Sequence, residues 1–140
     1  MKMNVLAVVG LALLFAGCDD SSPAPDSVAV IEADFNNDGI VDQTATLTYS
    51  SETGQLLTQE RDYADPNVDD NLITYVYDDN GFKSREETTN TSDGSVIFVL
   101  TQVNDERGNV LEARYDFDAD GVANRIDYKT YSSDNDITRE

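Results

Sequence analysis

The sequence predicts an all-β chain, an antiparallel β-meander of about eight strands built from ~27-residue hairpin repeats. Three observations predict it. Between Val28 and Tyr131, apolar and polar residues alternate, as in TATLTYS (44–50) and LITYVY (72–77), with no helical spacing of apolar positions. β-Branched and aromatic residues fill these runs, and clusters of Gly, Asn and Asp separate them. The turns recur at a fixed interval. YSSETG ends at Gly54, YDDNG at Gly81 and VNDERG at Gly108, each glycine 27 residues after the last, and YSSDN puts Asn135 at the next step. Acidic loops keep the same beat: DFNNDG has its glycine at 39, TNTSDG at 94 and DFDADG at 121, while DYADPNVDD (62–70) fills the intervening slot. Two interleaved series with one period mean stacked supersecondary units, each a strand, a short glycine turn, a strand and an acidic loop.

The first element in the chain precedes the repeats. Met1-Lys2-Met3-Asn4 leads into an apolar run from Val5 to Ala16, the pattern of a secretory signal peptide over 1–17. A bilayer of ~30 Å needs ~20 apolar residues, so this run is short for a membrane span. It ends Leu14-Phe15-Ala16-Gly17-Cys18, which resembles the lipobox of bacterial lipoproteins, with Phe15 in place of the usual leucine. That resemblance implies cleavage before Cys18, a diacylglycerol on its thiol, and a membrane partner through that lipid. It places the protein in the bacterial cell envelope, on the periplasmic side of the inner or outer membrane. Asp19, directly after Cys18, resembles the inner-membrane retention signal of enterobacterial lipoproteins. Cys18 is the only cysteine, so it has no internal disulfide partner, and lipidation accounts for it. Residues 18–27 then read as a lipidated cysteine on a flexible tether rich in Ser and Pro.

The repeat domain spans 28–140, a length that suits one domain. Its strands are expected at about 28–33, 43–50, 55–63, 72–77, 82–89, 96–103, 109–115 and 125–131. Short connections make neighbours antiparallel. FKSREETT (82–89) is nearly all polar and reads as an exposed stretch that limits the core. Tyr49, Tyr75, Tyr77, Tyr115, Tyr128 and Tyr131 are expected on the core or sheet faces. A meander with one face packed is preferred, with curling toward a barrel or folding over as a sandwich left open. The Tyr77-Asp78-Asp79-Asn80-Gly81 turn resembles the YD repeats of Rhs and teneurin-like surface proteins, which implies a hairpin array and no activity.

The acidic loops carry the candidate chemistry. Asp116, Asp118, Asp120, Gly121, Val122, Asn124 and Asp127 fill positions 1, 3, 5, 6, 7, 9 and 12 of a twelve-residue calcium loop. Calcium takes six to eight oxygens, and carboxylates at 1, 3 and 5 followed by a glycine bend can wrap one ion. This pattern resembles the loops of EF-hand and dockerin repeats and the DxDxDG loops of thrombospondin type 3 repeats, which implies Ca2+ as a structural cofactor. Asp34, Asn36, Asp38, Gly39, Ile40 and Asp42 repeat the first positions, but Ala45 stands at position 12. Both flanks of the Asp116 loop read as strands rather than helices, so Asp127 points by alternation and need not reach the ion. The competing reading is an Asp- and Gly-rich hairpin turn, for which the same residue types are preferred. DYADPNVDD and TNTSDG lack the spacing and read as plain turns.

Composition narrows the function. The chain has 28 acidic and nine basic residues, a net charge of −19 at pH 7, which repels nucleic acid and anionic lipid headgroups. It has no histidine, which removes His-dependent triads and imidazole metal sites. No P-loop or GxGxxG is present. The expectation is therefore a non-enzymatic envelope lipoprotein with a calcium-stabilised binding or structural β-module. The alternative is a passive surface or adhesion-array fragment without metal, and a carbohydrate-active enzyme comes a distant third. A protein or carbohydrate partner is not identified by the residues.

Overall fold

The computed structural model describes residues 26–132, 134 and 137–139. The signal peptide, Cys18 and the expected turn at Asn135 lie outside the described residues. The fold is all-β. Eight antiparallel strands form one sheet in meander order: β1 (Ser27–Ala33), β2 (Gln43–Tyr49), β3 (Leu56–Tyr63), β4 (Asn71–Tyr77), β5 (Lys83–Asn90), β6 (Val96–Asn104), β7 (Val110–Asp116) and β8 (Arg125–Tyr128). A separate two-stranded ladder pairs β9 (Thr130–Tyr131) with β10 (Ile137–Arg139). Each expected strand is found, and β10 is additional. The last expected strand is interrupted at Lys129, whose amide donates to the Leu111 carbonyl at 2.9 Å. The expected tether also ends sooner: Ser27 opens β1, and the Asp26 carboxylate accepts the Ser51 amide at 3.1 Å.

The chain divides into two compact units, one ending at Leu72 and the other beginning at Ile73. In the first, β1 and β2 pair without a shift from Ser27↔Tyr49 to Ala33↔Gln43. β2 then pairs β3 from Gln43↔Tyr63 to Thr48↔Thr58, with a bulge at Thr48/Tyr49. The alternation in β2 therefore puts Ala45 and Leu47 on one face of a middle strand, and both are buried. Their cross-strand neighbours are Ile31 and Arg61 for Ala45, and Ala29 and Gln59 for Leu47.

In the second unit, β5 pairs β6 and β6 pairs β7 with one bulge in each ladder, and β7 pairs β8 from Glu112↔Tyr128 to Tyr115↔Arg125. Ala113 in β7 is the most enclosed residue of these strands. The polar strand β5 is half-buried along its length rather than exposed, because ladders on its flanks cover it. The packing is thin: the buried apolar residues are Ala45, Leu47, Ile73 and Ala113, and among the described residues no large side chain is fully enclosed. Tyr49, Tyr75, Tyr77, Tyr115 and Tyr131 are half-buried on the sheet, while Tyr128 is exposed.

The 27-residue beat is visible in the hydrogen bonds. At Asp78 the amide donates to the Phe82 carbonyl and the Gly81 amide to the Asp78 carbonyl; at Asp105 the same bonds run to Asn109 and from Gly108. The Asp78 carboxylate accepts the amides of Asn80 and Phe82, and the Asp105 carboxylate those of Arg107 and Asn109. Successive turns are tied together, since Asn104 Nδ2 donates to Asp78 Oδ2 at 3.2 Å and to the Lys83 carbonyl at 3.0 Å. Ser50 and Asn90 open a different, longer turn, in which each amide donates across five residues, to Gln55 and Ser95. TNTSDG thus belongs with the glycine turns by conformation, as a plain turn.

Candidate metal centre

The β7–β8 connection (117–124) and the β1–β2 connection (34–42) share a backbone path. Counted from Asp116 and from Asp34, each has left-handed residues at its fourth and sixth positions: Ala119 (φ 54°) and Gly121 (φ 89°) in one, Asn37 (φ 62°) and Gly39 (φ 87°) in the other. Two such residues curl the loop so that its first carboxylate looks back over the following amides. Accordingly Asp116 Oδ2 accepts the Gly121 amide at 2.9 Å, and Asp34 Oδ2 accepts that of Gly39 at 2.8 Å. The fifth position repeats too, with Asp120 Oδ1 taking the Val122 amide and Asp38 Oδ1 the Ile40 amide, both at 2.8 Å.

The loops differ at the atoms that matter for a cation. In the first, Asp34 Oδ1 accepts the amides of Asn37 (2.6 Å) and Asp38 (3.2 Å), so both its oxygens are engaged. Asn36 contributes a neutral amide oxygen that already accepts the Asp38 amide at 2.8 Å. The Asp34 carboxyl lies below the ordinary carboxylate range because the Gly39 amide outweighs burial, with help from Asn37 and Asp38. This loop satisfies itself.

In the second loop, Asp116, Asp118 and Asp120 bring one oxygen each to within 4.8 Å of one another, the one such acidic group among the described residues. Asp116 closes strand β7 and is 8 % exposed. Its Oδ1 is buried and has no hydrogen-bond partner. Burial pushes the Asp116 carboxyl up, but the amides of Gly121, Ala119 and Asp118 and the side chain of Asp118 outweigh it, so the net shift is down. No amide reaches hydrogen-bond geometry at Oδ1. A charged, buried oxygen with no donor is a costly arrangement that a cation would relieve. Asp118 and Asp120 are exposed, leaving room for waters to complete a shell of six to eight oxygens.

The remaining expected ligands are placed elsewhere. Asn124 Oδ1 accepts the Phe117 amide, and Asp42 Oδ2 accepts the Phe35 amide at 2.7 Å, so the ninth position pins the second rather than facing an ion. Asp127 stands on β8 opposite Ala113, where Arg125 donates to both its oxygens at 2.8 and 2.7 Å. Val122 and Ile40 are exposed, consistent with positions that would offer only backbone oxygen. One equivalence escaped the sequence reading. Asp70 Oδ1 accepts the Tyr63 amide at 2.7 Å, the same seven-residue pin, in the loop that shows no metal spacing. The signal was an Asp or Asn eight residues after each loop's first Asp, at 42, 70 and 124. No family model, curated protein or solved structure matches this chain.

Proposed function

We propose that the chain is an envelope-anchored lipoprotein whose β-repeat domain is a binding or structural module stiffened by calcium at Asp116, Asp118 and Asp120. The observation that carries the metal reading is the buried, donor-free Oδ1 of Asp116 inside a cluster of three carboxylates. Oxygen-only, anionic donors favour a hard cation, and a loop with exposed outer ligands suits calcium's flexible shell better than the strict octahedron of magnesium. Carboxylates this close repel one another without a counter-charge, so an ion there supports the hairpin rather than triggering a large motion. The anchor reading is supported by Leu14 to Cys18 and by the absence of any other cysteine.

The test is a thermal melt of the full-length protein in detergent against calcium, with sodium at matched ionic strength. Calcium at about ten times Kd adds about 1.4 kcal/mol if only the folded state binds, a rise of a few degrees for a domain this size. Asp120→Ala should remove most of that increment. Equal shifts with calcium and matched sodium would reduce the loop to an acidic turn. Fatty-acid labelling addresses the anchor: Cys18→Ala should lose the label and accumulate as uncleaved precursor, and persistent labelling would end the lipoprotein reading. The passive-array alternative has one observation in its favour, the β1–β2 loop, which holds the same backbone path with its own amides as donors.

A further inference from the structure

In the second unit, one row of the sheet runs Arg85–Thr101–Arg114 across β5, β6 and β7, and the next row on the same face runs Glu87–Val99–Asp116. Strands lie ~4.8 Å apart, so the two arginine backbones stand about two spacings apart with a hydroxyl between them. These rows and the Asp116 loop line one open concavity of about 320 Å³. Two of only nine basic residues face it, on a chain of net charge −19. Each arginine is tied to a glutamate through a single nitrogen: Arg85 Nη2 to Glu87 Oε2, and Arg114 Nε to Glu112 Oε1. A guanidinium carries five N–H donors, so Nε and Nη1 of Arg85 and both Nη atoms of Arg114 remain to address another oxyanion.

We infer that this concavity binds a small oxyanion-bearing ligand, a carboxylate or a phosphate monoester, and that calcium at the Asp116 loop controls its affinity. The control rests on the calcium reading above; the arginine row does not. Without metal, the carboxylate of Asp116, which lines the concavity, and those of Asp118 and Asp120 clustered with it repel an arriving anion. A divalent ion cancels most of that charge, and the anion then meets two guanidinium groups beside a neutralised loop.

Isothermal titration of the full-length protein in detergent tests this, with glucuronate and glycerol 3-phosphate as probes, in metal-free buffer and at saturating calcium. Calcium binding is measured separately for every variant. The expected result is anion binding about tenfold tighter with calcium. Arg85→Gln and Arg114→Gln should each weaken the anion about tenfold without changing calcium affinity. The tighter probe identifies the source of the oxyanion. Asp120→Ala should leave only the metal-free affinity. The inference is overturned if neither probe binds calcium-saturated wild-type protein, or if the glutamine variants bind as wild type does. Calcium failing to bind while the arginine variants still lose the anion would overturn the control, and the Proposed function with it, and leave the arginine site standing.

Discussion

Gly108 carries two constraints at once. Its φ is +84°, and a Cβ there would lie 2.5 Å from Cε1 of the Phe82 ring. Gly54 has a similar φ of +71° but open space where a Cβ would go. Left-handed backbone costs a non-glycine residue about 1–2 kcal/mol, and overpacking adds about 1–3 kcal/mol. Gly108→Ala should therefore lower the urea midpoint well beyond Gly54→Ala; equal losses would mean that Phe82 simply moves aside. The same scale separates the two acidic loops. Where the first has Asn36, the second has Asp118, and that exchange turns a self-satisfied loop into a cluster of three carboxylates. The DxDxDG spelling made this difference legible in the sequence. The roles of Asn124 and Asp127 were not legible, because spacing alone does not say whether a side chain turns inward to an ion or sideways to Phe117 or Arg125.

At the scale of elements, the strands were legible because their two signals agree. Alternation sets the faces of TATLT, and glycine at positive φ sits in six of the seven reversals, at 39, 54, 81, 94, 108 and 121, the β3–β4 loop having none. Half-burial of β5 was not legible, since KSREETTN has no apolar residue and takes its cover from its neighbours in the sheet. The short β9–β10 ladder, with three residues in its second strand, follows no alternation long enough to read. The aspartates that open the turns add a pH dependence. The Asp105 carboxyl is held below its ordinary value of 3.8 by the side chain and amide of Asn109, with lesser help from Arg107. Asp78 is lowered first by the Phe82 amide and then by Asn104, against an opposing effect of burial. A folded value below the unfolded one gives stability that is complete above the unfolded value and is lost as pH falls through the folded one. Asp105→Asn resembles the protonated side chain, so wild type should exceed it in stability at neutral pH. That gap should narrow as pH falls below about 3.8 and close once pH is below the folded value. A gap that stays constant from neutral to acid pH would assign Asp105 a purely steric part in the turn.

On the scale of the whole molecule, the contacts within each unit run between strands that are neighbours in sequence, with thin packing and a large negative charge. Stability in such an array is close to a sum of local terms and nearest-neighbour interfaces, so a bound ion acts near its site. Two kinds of cation effect can therefore be told apart by place. A diffuse counter-ion relieves the repulsion of the entire −19 charge and slows amide exchange wherever acids are dense, including the loops at Asp34 and Asp62. An ion seated on Asp116, Asp118 and Asp120 stabilises the β7–β8 hairpin first, then β6 through its ladder with β7. Hydrogen exchange read by mass spectrometry should show calcium slowing peptides over 110–128 by about tenfold at ten times Kd, if they open locally. Peptides over 43–63 should change only as much as they do in sodium of the same ionic strength. In Asp120→Ala the local protection should vanish while the general salt effect remains. Calcium protection that is spread evenly over 43–63 and 110–128, and survives Asp120→Ala, would mean that the ion never sits in the loop and that the buried oxygen of Asp116 is tolerated without it.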